Sequence, residues 1–232
     1  NYAFEDRENL YLVIDLMQGG DLRYHLAKNK KFSEEQQDSL LLACFLLLNI
    51  SLKGILHRDI KPENLVFDKN GYLKITDLGI ARVWTPENSK DTSGTPGYMA
   101  PEVMCKQPHG VAVDYFAMGI IGTNVCLEED HTQEEIEEDK RAYSSQTDIN
   151  KKADIPSGWS VEAAISSIDS SKENSKRLGL NGPEDVKNHP WLKNFPFDDL
   201  LHQRIDAPFK PQNEDNFDAN YTNSEWKDQN SE

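Results

Sequence analysis

A β-hairpin signal at residues 65–75 predicts that two polar residues 13 positions apart in sequence lie close together. The apolar run 65–67 and the mainly apolar run 72–75, which includes Lys74, flank the turn Asp68-Lys69-Asn70-Gly71. Asn-Gly between two such runs is a strong hairpin signal. Because a hairpin folds the chain back, we expect Asn64 at its entrance to lie near Asp77 at its exit. An amide oxygen and a carboxylate are the hard ligands that a magnesium ion carrying phosphates requires.

The residues before the hairpin carry groups suited to phosphoryl transfer. They read His57-Arg58-Asp59-Ile60-Lys61-Pro62-Glu63-Asn64. The Asp59 carboxylate can orient a hydroxyl group or accept its proton, and the Lys61 ammonium can neutralise charge on a transferring phosphoryl group. The simpler interpretation is that Asp59, Asn64 and Asp77 are ordinary turn residues.

Three segments, in order, resemble the catalytic core of a eukaryotic serine/threonine protein kinase. The run from His57 to Asn64 is similar to the catalytic loop, and Asp77-Leu78-Gly79 to the magnesium-binding Asp-x-Gly motif. Residues 94–102, Gly-Thr-Pro-Gly-Tyr-Met-Ala-Pro-Glu, are similar to the segment ending in Ala-Pro-Glu. Leu78 replaces the family's commoner Phe, and we expect it to pack on His57.

The resemblance implies roles for these residues. Asp59 would orient the nucleophile, Lys61 would stabilise the phosphoryl group, and Asn64 and Asp77 would hold magnesium. The implied cofactors are ATP and Mg²⁺, and the implied partner is a protein or peptide bearing Ser or Thr. The sequence Lys61-Pro62-Glu63-Asn64 favours Ser or Thr over Tyr as the acceptor.

The implied fold is α+β and protein-kinase-like, mainly the helical C-lobe with the hinge and a remnant of the N-lobe sheet. Residues 1–17 are expected to form the N-lobe remnant and hinge. Residues 18–195 are expected to form the C-lobe, with 119–154 divergent, and residues 196–232 a partly disordered tail similar to that of the AGC group. The glycine-rich loop, the strand Lys and the helix Glu of a kinase belong upstream of Asn1, so we interpret the sequence as N-terminally truncated.

By position, residues 14–17, 21 and 66 resemble the nucleotide-binding residues of the family. Ile14 would be the gatekeeper, Asp15 to Met17 the adenine-facing hinge, Asp21 the ribose-side acid and Val66 the floor under adenine. Plain core packing is an equally good interpretation of Ile14 and Val66.

The segment before the Ala-Pro-Glu motif resembles an activation loop. By spacing from Gly94, the activating phosphorylation site of AGC kinases falls on Asp91. A carboxylate there can pair with Arg58 and partly substitute for a phosphate, which leaves Thr92 as at most a secondary site. The alternative is a loop Asp with no role. Thr95 is expected to line the acceptor pocket.

Three further residues resemble structural positions of the kinase C-lobe. Asp114 matches the buried Asp that holds the catalytic-loop backbone. Glu102 is expected to form an ion pair with Arg177 inside the lobe.

The hydrophobic pattern predicts the remaining elements. We expect a buried strand at residues 10–14, a short helix at 21–28, and a buried helix at 40–52 after a capping box at 33–36. A loop is expected at 84–101 and a buried helix at 111–127. We further expect a solvated acidic run at 128–139, helical material at 160–192 and an extended tail from Phe209.

The charge balance limits the partners. The net charge of −15 argues against nucleic acid or an anionic membrane as the main partner, since both require a basic face. The three cysteines form no pattern typical of a zinc site, and we expect a cytoplasmic protein of unknown oligomeric state. Two functions stay open: an AGC-like Ser/Thr kinase, or a catalytically inactive kinase-like fragment or pseudokinase that acts as a binding or regulatory module.

Overall fold

The computed structural model describes residues 2–29, 32, 36, 54–127, 177–189, 196–207 and 209–211. The strands are β1 Tyr2–Glu5, β2 Leu10–Val13, β3 Ile55–Leu56, β4 Leu65–Phe67, β5 Leu73–Ile75 and β6 Arg82–Val83. The α-helices are α1 Leu22–Asn29, α2 Pro101–Met104, α3 Ala112–Leu127, α4 Pro183–Lys187 and α5 Phe197–Leu201. Short 3₁₀ helices span Pro62–Asn64 and Pro86–Asn88. This mixture agrees with the predicted α+β class.

The predicted strand at residues 10–14 is present as β2, but the expectation that it is buried is wrong. β2 pairs antiparallel with β1, which the sequence did not predict, and Tyr2 lies opposite Val13. Every residue of both strands is exposed, and Leu10 and Leu12 are 69% and 66% exposed. The reason is that β1 and β2 form a two-stranded ribbon, and no other described element covers the side chains on either of its faces.

The predicted hairpin is confirmed as β4 and β5. The two strands are antiparallel, with Leu65 opposite Ile75. The Asp68 carboxylate accepts hydrogen bonds from the amides of Asn70 and Tyr72, at 2.8 and 3.0 Å, and so fixes the turn. Gly71 has φ +91°, and a Cβ there would meet backbone of the C-terminal segment, so glycine is required twice over.

The segment after β2 runs beside β4. The Gly19 amide donates to the Phe67 carbonyl at 2.9 Å, and the Phe67 amide donates to the Gly20 carbonyl at 2.8 Å. Asp21 forms an isolated antiparallel bridge with Val66. The start of α1 is thereby placed against the hairpin.

Helix α3 is the buried helix predicted at residues 111–127. Its sequence is apolar on nearly every side, and such a helix packs at the centre of a domain. One buried core joins α3 to α1 and the hairpin, and a second core joins its first turns to β3 and α2. The larger core contains Leu22, Phe32, Ile60, Leu65, Phe67, Leu73, Tyr98, Tyr115, Ala117, Met118, Ile121, Val125 and Phe209.

Two long-range contacts place the segments that surround the hairpin. β3 pairs antiparallel with β6, with Leu56 opposite Arg82, and this places the start of the 57–64 segment next to the loop after Asp77. The Tyr72 hydroxyl donates to the Ile205 carbonyl at 2.7 Å. Phe209, the first residue of the predicted extended tail, is buried among aromatic side chains.

Other predictions have different outcomes. The helix predicted at 21–28 is confirmed as α1, and the predicted loop at 84–101 contains one 3₁₀ turn. The capping box at 33–36, the helix at 40–52, the acidic run at 128–139 and most of 160–192 and of the tail lie outside the described residues. Among the residues that the structure describes, none belongs to a helix of the length and apolarity needed to cross a membrane.

Candidate active site

The segment from His57 to Asn64 is held in place by one buried carboxylate. Asp114, in the first turn of α3, accepts hydrogen bonds from the amides of His57 and Arg58 at 2.8 and 2.9 Å. Arg58 has φ +69°, a backbone conformation that is strained for a side chain of this kind. Burial raises the pKa of Asp114, and the two amide hydrogen bonds act in the opposite direction. The sequence-predicted contact between Asp114 and this backbone is present.

Asp59, Lys61 and Thr95 form a cluster at the end of this segment. The Thr95 hydroxyl donates to Asp59 Oδ1 at 2.6 Å, and Lys61 Nζ lies 2.9 Å from Asp59 Oδ2. Lys61 Nζ also donates to Thr95 Oγ1 at 3.0 Å. Burial raises the pKa of Asp59, but hydrogen bonds from Thr95 and Lys61 outweigh it and hold that pKa below its ordinary value. The structure therefore brings Asp59 and Lys61, which were predicted from one segment, together with Thr95, which was predicted from another.

Asn64 links this cluster to the hairpin. Its side-chain nitrogen donates to the Asp59 carbonyl at 2.8 Å and to Asp59 Oδ2 at 3.2 Å. Its carbonyl accepts a hydrogen bond from the Thr76 amide at 2.9 Å, so Asn64 lies directly across from the residue before Asp77. Since the nitrogen faces Asp59, the side-chain oxygen is the Asn64 atom that could serve a cation.

Asp77 is exposed and has φ +61°. Its carboxylate accepts a hydrogen bond from the Gly79 amide at 3.1 Å, which helps to hold the strained turn. Leu78, which was expected to pack on His57, is 63% exposed. His57 is instead buried through its own contact, because its Nε2 donates to the Thr76 carbonyl at 3.0 Å.

The structure separates the predicted nucleotide residues into two groups. Ile14 is 71% exposed, Asp15 is exposed and Met17 is half-buried. Asp21 and Val66 lie together through their bridge. The Asp21 carboxylate also accepts a hydrogen bond from the Tyr24 amide at 2.8 Å and so caps α1, a contact that the sequence analysis missed.

Of the predicted activation-loop residues, Asp91 contacts Arg58. Asp91 Oδ2 lies 3.5 Å from Arg58 Nη1 and 2.7 Å from Arg82 Nη1. Arg82 was missed in the sequence; the only signal was its position five residues after Asp77, and the two-residue strand that places it is too short to predict. Thr92 is exposed and has no described contact with this group.

The expected ion pair inside the lobe is present. Arg177 Nη1 and Nη2 donate to Glu102 Oε1 and Oε2 at 2.5 and 3.0 Å. Arg177 also donates to the Ala112 carbonyl at 3.3 Å, and its guanidinium lies 5.1 Å from the centre of the Phe116 ring. The pair thereby ties α2 to the start of α3, the helix that carries Asp114.

Three known proteins with sequences similar to this chain are protein kinases. The chain is 34% identical over 216 residues to a probable serine/threonine-protein kinase of Dictyostelium discoideum, covering 91% of this chain and 46% of the relative. It is 32% identical over 238 residues to the serine/threonine-protein kinase sgk-1 of Caenorhabditis elegans, covering 97% and 49%. It is 32% identical over 213 residues to the cAMP-dependent protein kinase type 3 of Saccharomyces cerevisiae, covering 90% and 52%.

The chain thus spans about half the length of the curated relatives it matches. The names of these relatives confirm the resemblance to Ser/Thr kinases and to their AGC group that the motifs indicated. The family model for the protein kinase domain matches residues 1–192, which confirms the predicted fold. On these grounds the chain belongs to the protein kinase family.

Proposed function

We propose that the protein carrying this chain is an AGC-like kinase that transfers the γ-phosphoryl group of ATP to a Ser or Thr hydroxyl of a protein. The observation that carries the proposal is the Asp59–Lys61–Thr95 cluster, in which a hydroxyl already donates to the Asp59 carboxylate at 2.6 Å. A cytoplasmic location and a protein or peptide substrate are parts of the same proposal.

In this mechanism Asp59 orients the acceptor hydroxyl. Its pKa lies below the ordinary value, so it is ionised near neutral pH and acts as a hydrogen-bond acceptor that can receive the hydroxyl proton. The acceptor hydroxyl would take the place that the Thr95 hydroxyl occupies on Oδ1. Lys61 lies beside both groups and supplies positive charge where the phosphoryl group arrives.

Asn64 and Asp77 suit a divalent cation. Asn64 directly precedes β4 and Asp77 follows β5, and the backbone hydrogen bond between Thr76 and Asn64 keeps these two ends of the hairpin together. The side-chain oxygen of Asn64 and the carboxylate of Asp77 are oxygen ligands. Mg²⁺ is commonly held by one or two such groups together with phosphates and waters. The donor chemistry therefore fits Mg²⁺. When bound, the ion would neutralise phosphate charge. The hydrogen bonds from Asn64 to Asp59 would hold the Asn64 side chain, as a cation ligand, at a fixed position relative to the Asp59 carboxylate.

Nucleotide binding is assigned to the segment between β2 and α1 together with the hairpin. The bridge between Asp21 and Val66, supported by the paired amides and carbonyls of Gly19, Gly20 and Phe67, gives a rigid floor next to the start of α1. Ile14, Asp15 and Met17 would face the adenine from the preceding segment.

The test uses a form of the protein that also carries, upstream of Asn1, a glycine-rich loop, a Lys-bearing strand and a Glu-bearing helix. We call this form the extended protein. Asp59→Asn is expected to lower phosphoryl transfer by about 10²–10⁴-fold and nearly to spare nucleotide binding, because the carboxylate acts on the hydroxyl and not on ATP. Asp77→Asn is expected to weaken Mg-ATP binding itself.

The matched control is Asp198→Asn, an exposed carboxylate on α5, which should leave both quantities unchanged. Equal transfer of radiolabelled phosphate by the unmodified protein and Asp59→Asn would overturn the assignment. Absence of transfer from the extended protein, with folding intact, would favour the alternative of an inactive kinase-like module.

A further inference from the structure

One arginine connects the two segments that flank the Asp59–Lys61–Thr95 cluster. Arg23, on the first turn of α1, donates from Nε to Glu63 Oε1 at 3.1 Å. It also donates from Nη2 to the Tyr98 hydroxyl at 3.0 Å. A guanidinium presents several donors in a fixed fork, so one side chain can satisfy both acceptors at once.

Both partners of Arg23 lie on the border of the acceptor site. Glu63 belongs to the same 3₁₀ helix as Asn64 and follows Lys61 by two residues. The Tyr98 amide donates to the Thr95 carbonyl at 3.2 Å, so Tyr98 is placed by the residue that contacts Asp59. A peptide whose hydroxyl reaches Asp59 would therefore place a neighbouring side chain near Glu63.

The Glu63 and Arg23 side chains are accessible, but each already compensates the charge of the other. The Glu63 side chain is 44% exposed and that of Arg23 is 23% exposed, so both can be reached from solvent. A substrate lysine or arginine would have to displace Arg23 from Glu63 and would exchange one ion pair for another. A substrate carboxylate would meet Glu63 as well as Arg23.

We propose that Arg23 sets the peptide preference of the site by occupying Glu63, so that the substrate carries an uncharged residue where its chain passes Glu63. This inference rests on the proposed function, because it names the substrate class of the same site. The effect of an ion pair of this exposure is modest, on the order of fivefold in an equilibrium constant at most.

The experiment compares fluorescein-labelled peptides that share one Ser in an alanine and glycine background and carry a single Arg at each successive position on either side. Binding to the 232-residue chain is measured by fluorescence anisotropy, and phosphate transfer is measured with the extended protein. For the unmodified protein, we expect Arg to change binding by less than about twofold at every position.

Arg23→Ala leaves Glu63 without this partner, and we expect one peptide position to gain about fivefold from Arg. The double variant Arg23→Ala/Glu63→Gln should lose that gain. Arg204→Ala is the matched control, since it removes an exposed arginine paired with Asp199 at 2.7 Å on the C-terminal segment. Arg23→Gln serves as a second variant if Arg23→Ala unfolds, as judged by circular dichroism.

Three results would overturn the inference. They are a preference for Arg in the unmodified protein that Glu63→Gln removes, a flat peptide profile in both folded Arg23 variants, and no binding of any peptide at millimolar concentration. The expected binding profiles without phosphate transfer would contradict the proposed function alone, because the binding measurement requires no chemistry.

Discussion

Arg58 Nη1 and Asp91 Oδ2 lie 3.5 Å apart, and the same oxygen of Asp91 accepts a hydrogen bond from Arg82 Nη1 at 2.7 Å. Burial and the nearby Arg82 charge lower the pKa of Arg58, and the Asp91 carboxylate opposes them. Arg58 also donates from Nε to the Ile80 carbonyl at 2.7 Å. The Asp91 carboxylate thus joins the segment from His57 to Asn64, through Arg58, to β6, through Arg82.

This geometry predicts that the extended protein is active without phosphorylation of the activation loop. Asp91 already places a negative charge between two arginines, although it carries one charge where a phosphate carries nearly two. Phosphatase treatment should therefore leave transfer of radiolabelled phosphate nearly unchanged, and Thr92→Ala should behave like the unmodified protein. Loss of activity on treatment, with the lost phosphate mapped to Thr92, would contradict this.

Removing the Asp91 carboxylate should have the opposite effect. Asp91→Ala leaves Arg58 and Arg82 close together without their shared anion, so we expect the loop to loosen and transfer to fall by about tenfold. Asp91→Glu should recover most of the loss because it restores the charge. An Asp91→Ala variant as active as the unmodified protein would mean that Asp91 is a loop residue without a role.

The buried ion pair between Glu102 and Arg177 predicts a large effect on stability. The Arg177 side chain is fully buried and that of Glu102 is 5% exposed, so removing one partner leaves an uncompensated charge in the core. Arg177→Met should lower the free energy of unfolding by about 3–5 kcal/mol, as measured by urea denaturation. The double variant Arg177→Met/Glu102→Leu should lose less than Arg177→Met alone, and a larger loss in the double variant would refute this account.

The sequence singled out the candidate catalytic residues because their order and spacing form motifs. It also predicted the hairpin, since Asn70-Gly71 allows few alternatives. The backbone conformations of Arg58 and Asp77 could not be predicted, because positive φ at these residues depends on hydrogen bonds made after folding. For Arg58, the acceptor is Asp114, 56 residues further along the chain.

The contacts made by short elements could not be predicted from the sequence either. The pairing of Ile55–Leu56 with Arg82–Val83 involves two residues on each side, too few to show an alternating pattern. Arg23 was predicted only as part of a short polar helix, and its contacts with Glu63 and Tyr98 cross 40 and 75 residues of sequence. The burial of residues 10–14 was wrong because apolar composition indicates a strand but not what covers it.

The burial of His25 predicts that the folded protein loses stability in mild acid. It is buried, and its Nε2 donates to the Gly19 carbonyl at 2.6 Å, because a carbonyl oxygen can only accept. Burial lowers the pKa of His25, the Gly19 contact and Asp21 raise it less, and Lys28 lowers it further. The folded state therefore binds fewer protons than the unfolded state just below pH 6.5, so stability is fully present above that pH and falls as the pH decreases.

The measurement is urea denaturation between pH 5.5 and 7.5. One buried histidine contributes a slope of at most about 1.4 kcal/mol per pH unit, and His25→Gln should flatten the profile while its amide still donates to Gly19. His189, whose pKa is also lowered by burial, must be replaced separately as a comparison. An unchanged slope in His25→Gln would show that His25 is not responsible.

The last prediction concerns the 232-residue chain by itself. Residues 1–9 contain neither glycine nor lysine, so they supply no glycine-rich loop or phosphate-binding Lys before β2. The adenine would have a floor at Val66, while Ile14, expected to be the gatekeeper, is 71% exposed. Since kinase catalysis is mostly positioning and charge stabilisation, these losses should cost several kcal/mol of transition-state binding.

We therefore expect the chain alone to show no measurable kinase activity and a dissociation constant for Mg-ATP well above the micromolar range. The exposed apolar residues of the β1–β2 ribbon, such as Leu10 and Leu12, should also promote aggregation. Leu10→Lys and Leu12→Lys together should reduce light scattering without changing nucleotide affinity. Calorimetric titration with Mg-ATP is the direct measurement, and micromolar affinity accompanied by phosphate transfer would show that this chain forms a complete nucleotide site.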